Sequence, residues 1–159
     1  MEKTSMTCRR IEQARPEHIP AVAAHMREAD RHEVWAYRRH TPEEALRFSL
    51  SRSLFARTAV VSDRPVLMYG VGAPTLLGSV GSPWLLATDA VYEVVLSFLK
   101  YSRVAVRHMQ SLFPRLENRV HADNALSIRW LQWCGFSIDD TPEVYNGENF
   151  YLFWRNADV

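Results

Sequence analysis

The pattern of apolar and polar positions divides the chain into alternating strand-like and helix-like segments. "TCRRIEQAR" (residues 7–15) reads as a first strand. Pro16 then opens a helix, because its fixed φ and missing N–H suit a first helical turn, with Ile19, Val22, Ala23 and Met26 on the inner face. In "TPEEALRFSLSRSL", Thr41 caps a second helix, Pro42 takes its first turn and Glu44 completes a capping box. "TAVVS" (58–62) turns through "DRP" into "VLMYGVGA", and a further apolar stretch ends in "PWLLATD"; together they predict an antiparallel meander. From Asp89 a helical stripe of Val91, Val94, Val95, Phe98, Ala105, Met109 and Leu112 runs toward Phe113, with a break expected near Ser102 and a stop at Pro114. "RLENRVHAD" follows as a strand, "NALSIRWLQWC" as a helix ended by Gly135, and "FSIDD" and "NFYLFWRN" as the last strands. The order β-α-α-β-β-β-α-β-α-β-β predicts one α/β domain over residues 1–159, with a mixed, mostly antiparallel sheet of six or seven strands and helices on both faces.

Composition narrows the functional classes. The chain has 159 residues, 47% hydrophobic and 23% charged, which is enough for one cored domain and argues against disorder. A formal net charge of +1 supplies no electrostatic pull toward nucleic acid or an anionic membrane, so neither is expected as a partner. No apolar run approaches the roughly 20 residues of a membrane span, and "MEKTSMTCRR" lacks the apolar core of a secretory signal. A cytoplasmic protein is expected, with Cys8 and Cys134 as small buried hydrophobes in a reducing compartment.

The most informative stretch is "NALSIRWLQWCGF" (124–136). Asn124 can cap a helix and Gly135 can end it in a left-handed conformation. The segment resembles the N-x-x-A-x-x-x-Y-x-x-x-G-F motif of the GCN5-related N-acetyltransferases, the GNAT superfamily. Asn124, Gly135 and Phe136 fall on the pattern, whereas Ser127 replaces the alanine and Leu131 the tyrosine. A narrower likeness spans most of the chain. "HMREADRHEVWA", "GSPWLLATD" and "LENRVHADNALSIRWLQWCGF" resemble GNAT-like proteins related to the internal core proteins of short-tailed phages. That resemblance implies a phage or prophage origin, with a virion or host protein, or a second copy, as the partner.

The GNAT resemblance also implies a coenzyme groove. The strand equivalent to "PWLLA" would splay from its neighbour and pair with the pantetheine arm of acetyl-CoA, so Trp84, Leu85, Leu86, Ala87, Thr88 and Asn124 are the candidate groove residues. The next loop should be glycine-rich, because bare backbone N–H groups at a helix N-terminus hold the diphosphate. Here "LLATDAVY" stands instead. There is no glycine between Ser82 and Asn118, no Lys or Arg between Arg64 and Lys100, and Asp89 is expected to cap the helix with a carboxylate. The family tyrosine serves as general acid toward the leaving thiolate; Leu131 cannot, and Tyr92 or Tyr101 on the long helix are the candidate substitutes. The expectation is therefore a GNAT-fold protein with a degenerate acetyl-CoA site and no resident cofactor, acting as a virion-associated, assembly or host-interaction factor. The alternative is a divergent acetyl-CoA-dependent N-acyltransferase.

Other candidates have bland readings. "GVGAPT" lacks the third glycine and following helix of a dinucleotide fingerprint, and "GSVGS" is expected to be a hairpin turn. His18, His25 and His32 would stand about 10 Å apart along one helix face, too far to share a metal, and are expected to face solvent. Arg27, Asp30 and Glu33, three residues apart, predict a helix-surface ion network, with substrate binding as the functional reading. His121 and Asp123 are satisfied strand-end groups or candidate bases. Trp130 and Trp133 share one apolar line of their helix, expected to lie under the first strand–helix connection or to form a partner surface.

Overall fold

The computed structural model describes residues 9–75 and 77–158. Cys8 lies outside the described residues; Cys134 is buried with a free thiol, as expected. The chain runs β1 (Arg9–Gln13), α1 (Ile19–Ala24), α2 (Glu28–Arg38), α3 (Pro42–Arg52), β2 (Ser53–Val61), β3 (Arg64–Gly72), β4 (Val80–Ala87), α4 (Val95–Leu112), β5 (Arg115–His121), α5 (Ala125–Trp133), β6 (Ser137–Ile138), β7 (Glu143–Tyr145) and β8 (Glu148–Asn156). One sheet of eight strands follows the order β1-β2-β3-β4-β5-β8-β6, with β7 also paired to β8. Every pairing is antiparallel except β4 with β5.

The mixed, mostly antiparallel α/β fold is the one expected. The strand beyond the predicted six or seven is β7, joined to β8 by Asn146 and Gly147 at φ +50° and +79°, a two-residue turn whose handedness matches strand twist. The first predicted helix is two. α1 ends at Ala24 because Arg31 donates to the carbonyls of Ala23, Ala24 and Met26, while Met26 bridges to Thr88 and Arg27 N–H donates to Ala87 O. That break plants the start of α2 against the end of β4. The long helix predicted from Asp89 begins as a 3-10 segment, Asp89–Val94, and α4 then runs unbroken through Ser102.

Both faces of the sheet are covered. On one, Ile19, Val22, Met26, Ala45 and Leu46 pack on Ala56, Met68 and Leu86. On the other, Val106, Met109 and Leu131 pack on Val71, Leu116, Val120 and Phe153. Among the described residues no helix is long and apolar enough to cross a membrane.

Candidate functional site

The β4–β5 pair holds together only at its start. Val80 pairs with Arg115 and Gly81 with Leu116; from Ser82 onward the two parallel strands diverge. One polar strut crosses the wedge, where Asn118 Nδ2 donates to Pro83 O at 2.8 Å. Divergence leaves strand edges without ladder partners, and buried backbone N–H groups need other acceptors. The result is a slot of about 890 Å³ that reaches Ala45 and Phe48 on one side of the sheet and Val106 and Trp130 on the other.

Two carboxylates of α2 close the wide end of this slot. Ala87 N–H, at the end of β4, donates to Asp30 Oδ2 at 3.0 Å. His121 N–H, at the end of β5, donates to Glu33 Oε1 at 2.7 Å, and Asn124 Nδ2 reaches Glu33 Oε2 at 3.2 Å. Arg27 pairs with Asp30 at 3.3 Å, both side chains nearly buried. The surface ion network predicted for Arg27, Asp30 and Glu33 is thus corrected: the helical spacing does align them, but their face turns toward the strand ends. Asp30 is 4% exposed. Burial pushes its carboxyl up to about 6, against the pull of Arg27 and the Ala87 N–H. Burial pushes Glu33 up to about 7, opposed by the His121 N–H and reinforced by the charge of Asp30.

Of the predicted groove residues, Trp84, Leu85, Leu86 and Ala87 all line the slot. Thr88 does not; its hydroxyl and N–H both donate to Val66 O, tying it to β3. Asn124 does not line the slot either; it caps α5 through Ser127 N–H while its amide holds Glu33, which does. Leu131 lines the slot from the core, so no hydroxyl stands at the motif tyrosine position. Tyr92 and Tyr101 also line it, and Tyr92 Oη accepts from Arg27 Nε at 3.0 Å. Asp89 is exposed and caps nothing; α4 begins six residues later, with no side-chain cap at Val94. The fold supplies cations there that no local window could reveal. Arg9 donates to Ser97 Oγ in the first turn of α4, and Arg27 reaches Tyr92 in the turn before it.

The tryptophans do not form one exposed line, nor does the first strand–helix connection cover them. Trp130 lines the slot, donates from Nε1 to Ser102 Oγ at 3.0 Å and stacks on Phe98. Trp133 is 39% exposed, with the Arg103 guanidinium over its ring. His18 also corrects an expectation. It is buried among the Arg15 N–H, the Thr58 hydroxyl and the Glu12 carboxylate instead of facing solvent.

His32, His121 and Glu148 bring three ligand-type atoms within 4.8 Å of one another. Their bonding fits protons better than a metal. His121 Nδ1 accepts from Asp123 N–H, so its Nε2 carries the proton given to Glu148, whereas a metal there needs that proton on Nδ1. Neither His121 nor Asp123 lines the slot.

No protein-family model matches the sequence. No curated protein matches it either. Solved structures do match the fold. A splayed parallel pair in an otherwise antiparallel sheet, flanked by helices on both faces, is the architecture of the GNAT acetyltransferases. An acetyltransferase from Bacillus subtilis in complex with CoA shares 11% identity over 95% of this chain and 99% of its own, with a TM-score of 0.62. A Salmonella typhimurium protein solved with its cofactor acetyl-CoA shares 14% over 94% of each chain, at a TM-score of 0.69. The ribosomal-protein-S5-alanine acetyltransferase of Vibrio fischeri shares 15% over 97% and 98%, at 0.65.

Proposed function

We propose that this GNAT-fold chain carries a degenerate acetyl-CoA site, performs no ordinary acetyl transfer, and serves as a virion-associated, assembly or host-interaction factor in the host cytoplasm and the phage particle. The observation that carries the first part is the Asp30–Ala87 bond. If β4 pairs with a pantetheine arm, its free N–H groups are the donors for that arm. The one at Ala87 is already held by a carboxylate, which would repel any oxyanion developing beside it. The second part rests on the three phage-like stretches, and half-exposed Trp133 is the contact we assign to a protein partner.

Acetyl-CoA should accordingly bind more weakly than ~100 µM, because an absent diphosphate cradle removes charge-assisted bonds worth about 1.5–3 kcal/mol each. Calorimetry at physiological salt tests this. Low-micromolar binding would return the chain to the enzyme reading and give Arg9 and Arg27 the diphosphate.

One observation favours a divergent N-acyltransferase. Glu33 borders the slot with its carboxyl pushed up to about 7, where a general base for an amine works best. Release of free CoA thiol from acetyl-CoA over a panel of amines, abolished by Glu33→Gln, would establish that activity.

A further inference from the structure

We propose that Arg103, Arg107 and Arg155 form a binding site for the phosphate group of a small ligand, on the outer side of α4 and α5. They converge with Trp133, Cys134 and Gly135 on a cavity of about 260 Å³ that shares no lining residue with the slot. No carboxylate lines it, and none of the three arginines enters an ion pair among the described residues.

Arg103 and Arg107 stand four residues apart, which sets both on one face of α4, where like charges repel unless something answers them. The end of α5 answers Arg103 alone. The carbonyls of Trp130, Leu131 and Gln132 are taken by the N–H groups of Cys134, Phe136 and Gly135. The Trp133 carbonyl is taken by Arg103, through Nε at 3.2 Å and Nη2 at 3.1 Å. Nor does Cys134 supply a counter-charge, since burial pushes its thiol up to about 11 despite Arg103 and Arg155 nearby.

Two of the guanidinium groups are held in advance. Arg103 lies 3.5 Å from the Trp133 ring centroid. Arg155 Nη1 donates to Gln110 Oε1 at 2.8 Å. Its place also depends on Gly135: at φ +92°, a Cβ there would come within 3.2 Å of Arg155 Nε. Arg107 has no hydrogen-bond partner among the described residues and completes the ring of charge. Planar N–H forks match phosphate oxygens in bidentate fashion; Arg107 and the Nε–Nη2 edge of Arg155 offer such forks, and Arg103, whose Nε and Nη2 hold the Trp133 carbonyl, adds its charge and its Nη1. The group could arrive free or on a nucleotide.

The test is calorimetry on the full chain with inorganic phosphate, pyrophosphate and ADP at low salt. Pyrophosphate should bind at sub-millimolar concentration, with affinity falling as salt rises. Arg107→Gln and Arg155→Gln should each weaken it about tenfold or more, while Arg129→Gln, an exposed cation of α5 outside the cavity, should not. ADP binding more tightly than pyrophosphate identifies a nucleotide source, and equal affinity identifies the free anion. Arg107→Gln breaks no internal bond and should melt with the wild type, so it decides the matter even if Arg155→Gln fails to fold. No binding by any of the three anions, or equal weakening by Arg129→Gln, overturns the site.

Discussion

Leu131→Ala should lower the free energy of unfolding by about 2–5 kcal/mol, and Trp130→Ala by about 3–5 kcal/mol, whereas Trp133→Ala should cost about 1 kcal/mol. The three residues occupy one short helix, so the contrast tests which face of α5 meets the protein. Leu131 is 6% exposed and packs in the cluster built by Val106, Met109, Phe136 and Phe153. Truncating it removes transfer energy and leaves a cavity beside the slot. Trp130 joins α5 to α4 through its stack on Phe98, with ring centroids 5.4 Å apart, and its bond to Ser102. Trp133 loses mainly its contact with Arg103 and already exposes much of its ring. Urea denaturation of the three variants gives the order directly. If Trp130→Ala unfolds like wild type while Trp133→Ala collapses, the faces of α5 have been assigned the wrong way round.

Features fixed by neighbours in sequence were legible, and those fixed by distant backbone were not. The Asn124 cap and left-handed Gly135 follow from residue type and spacing, and both stand as read. The Asn146–Gly147 turn was equally local and its signal was present in "YNGE", but the strand before it is only three residues long and carries no alternation to notice. The division of α1 from α2 was not legible, because it depends on Arg31 folding back onto three carbonyls and on a bridge from Met26 to Thr88. The wedge itself was expected only by resemblance; alternation in "PWLLA" says nothing about where a parallel partner departs. Three-residue spacing is the signature of a solvated ion network, so sequence alone puts Asp30 and Glu33 on the surface. What turns them inward are N–H groups 57 and 88 residues further on, at Ala87 and His121.

Those two carboxylates should also make the protein less stable as pH rises from about 5 to 8. Each has a folded-state pKa raised above its ordinary value, from 3.8 to about 6 for Asp30 and from 4.5 to about 7 for Glu33. A raised pKa means that the folded state holds the proton more tightly than the unfolded chain. The stabilisation is therefore complete below the unfolded value and is lost as pH climbs through the folded one. At about 1.4 kcal/mol per pKa unit, Glu33 alone accounts for roughly 3 kcal/mol, and the two do not simply add, since Asp30 is itself part of what raises Glu33. Glu12, Glu143 and Glu148 have lowered pKa values and act in the opposite sense, but at more acid pH. Glu33→Gln isolates the effect. At pH 5 the amide replaces a mostly neutral acid and should cost little; at pH 8 it replaces a desolvated charge. The variant's stability relative to wild type should consequently rise by about 2–3 kcal/mol across that interval, and chemical denaturation at several pH values reads the difference. The histidines bonded to Glu12 and Glu148 are common to both proteins and cancel in the comparison. A flat difference profile would place the Glu33 carboxylate in a solvated setting, and the argument for it as a base at the mouth of the slot would fall with that result.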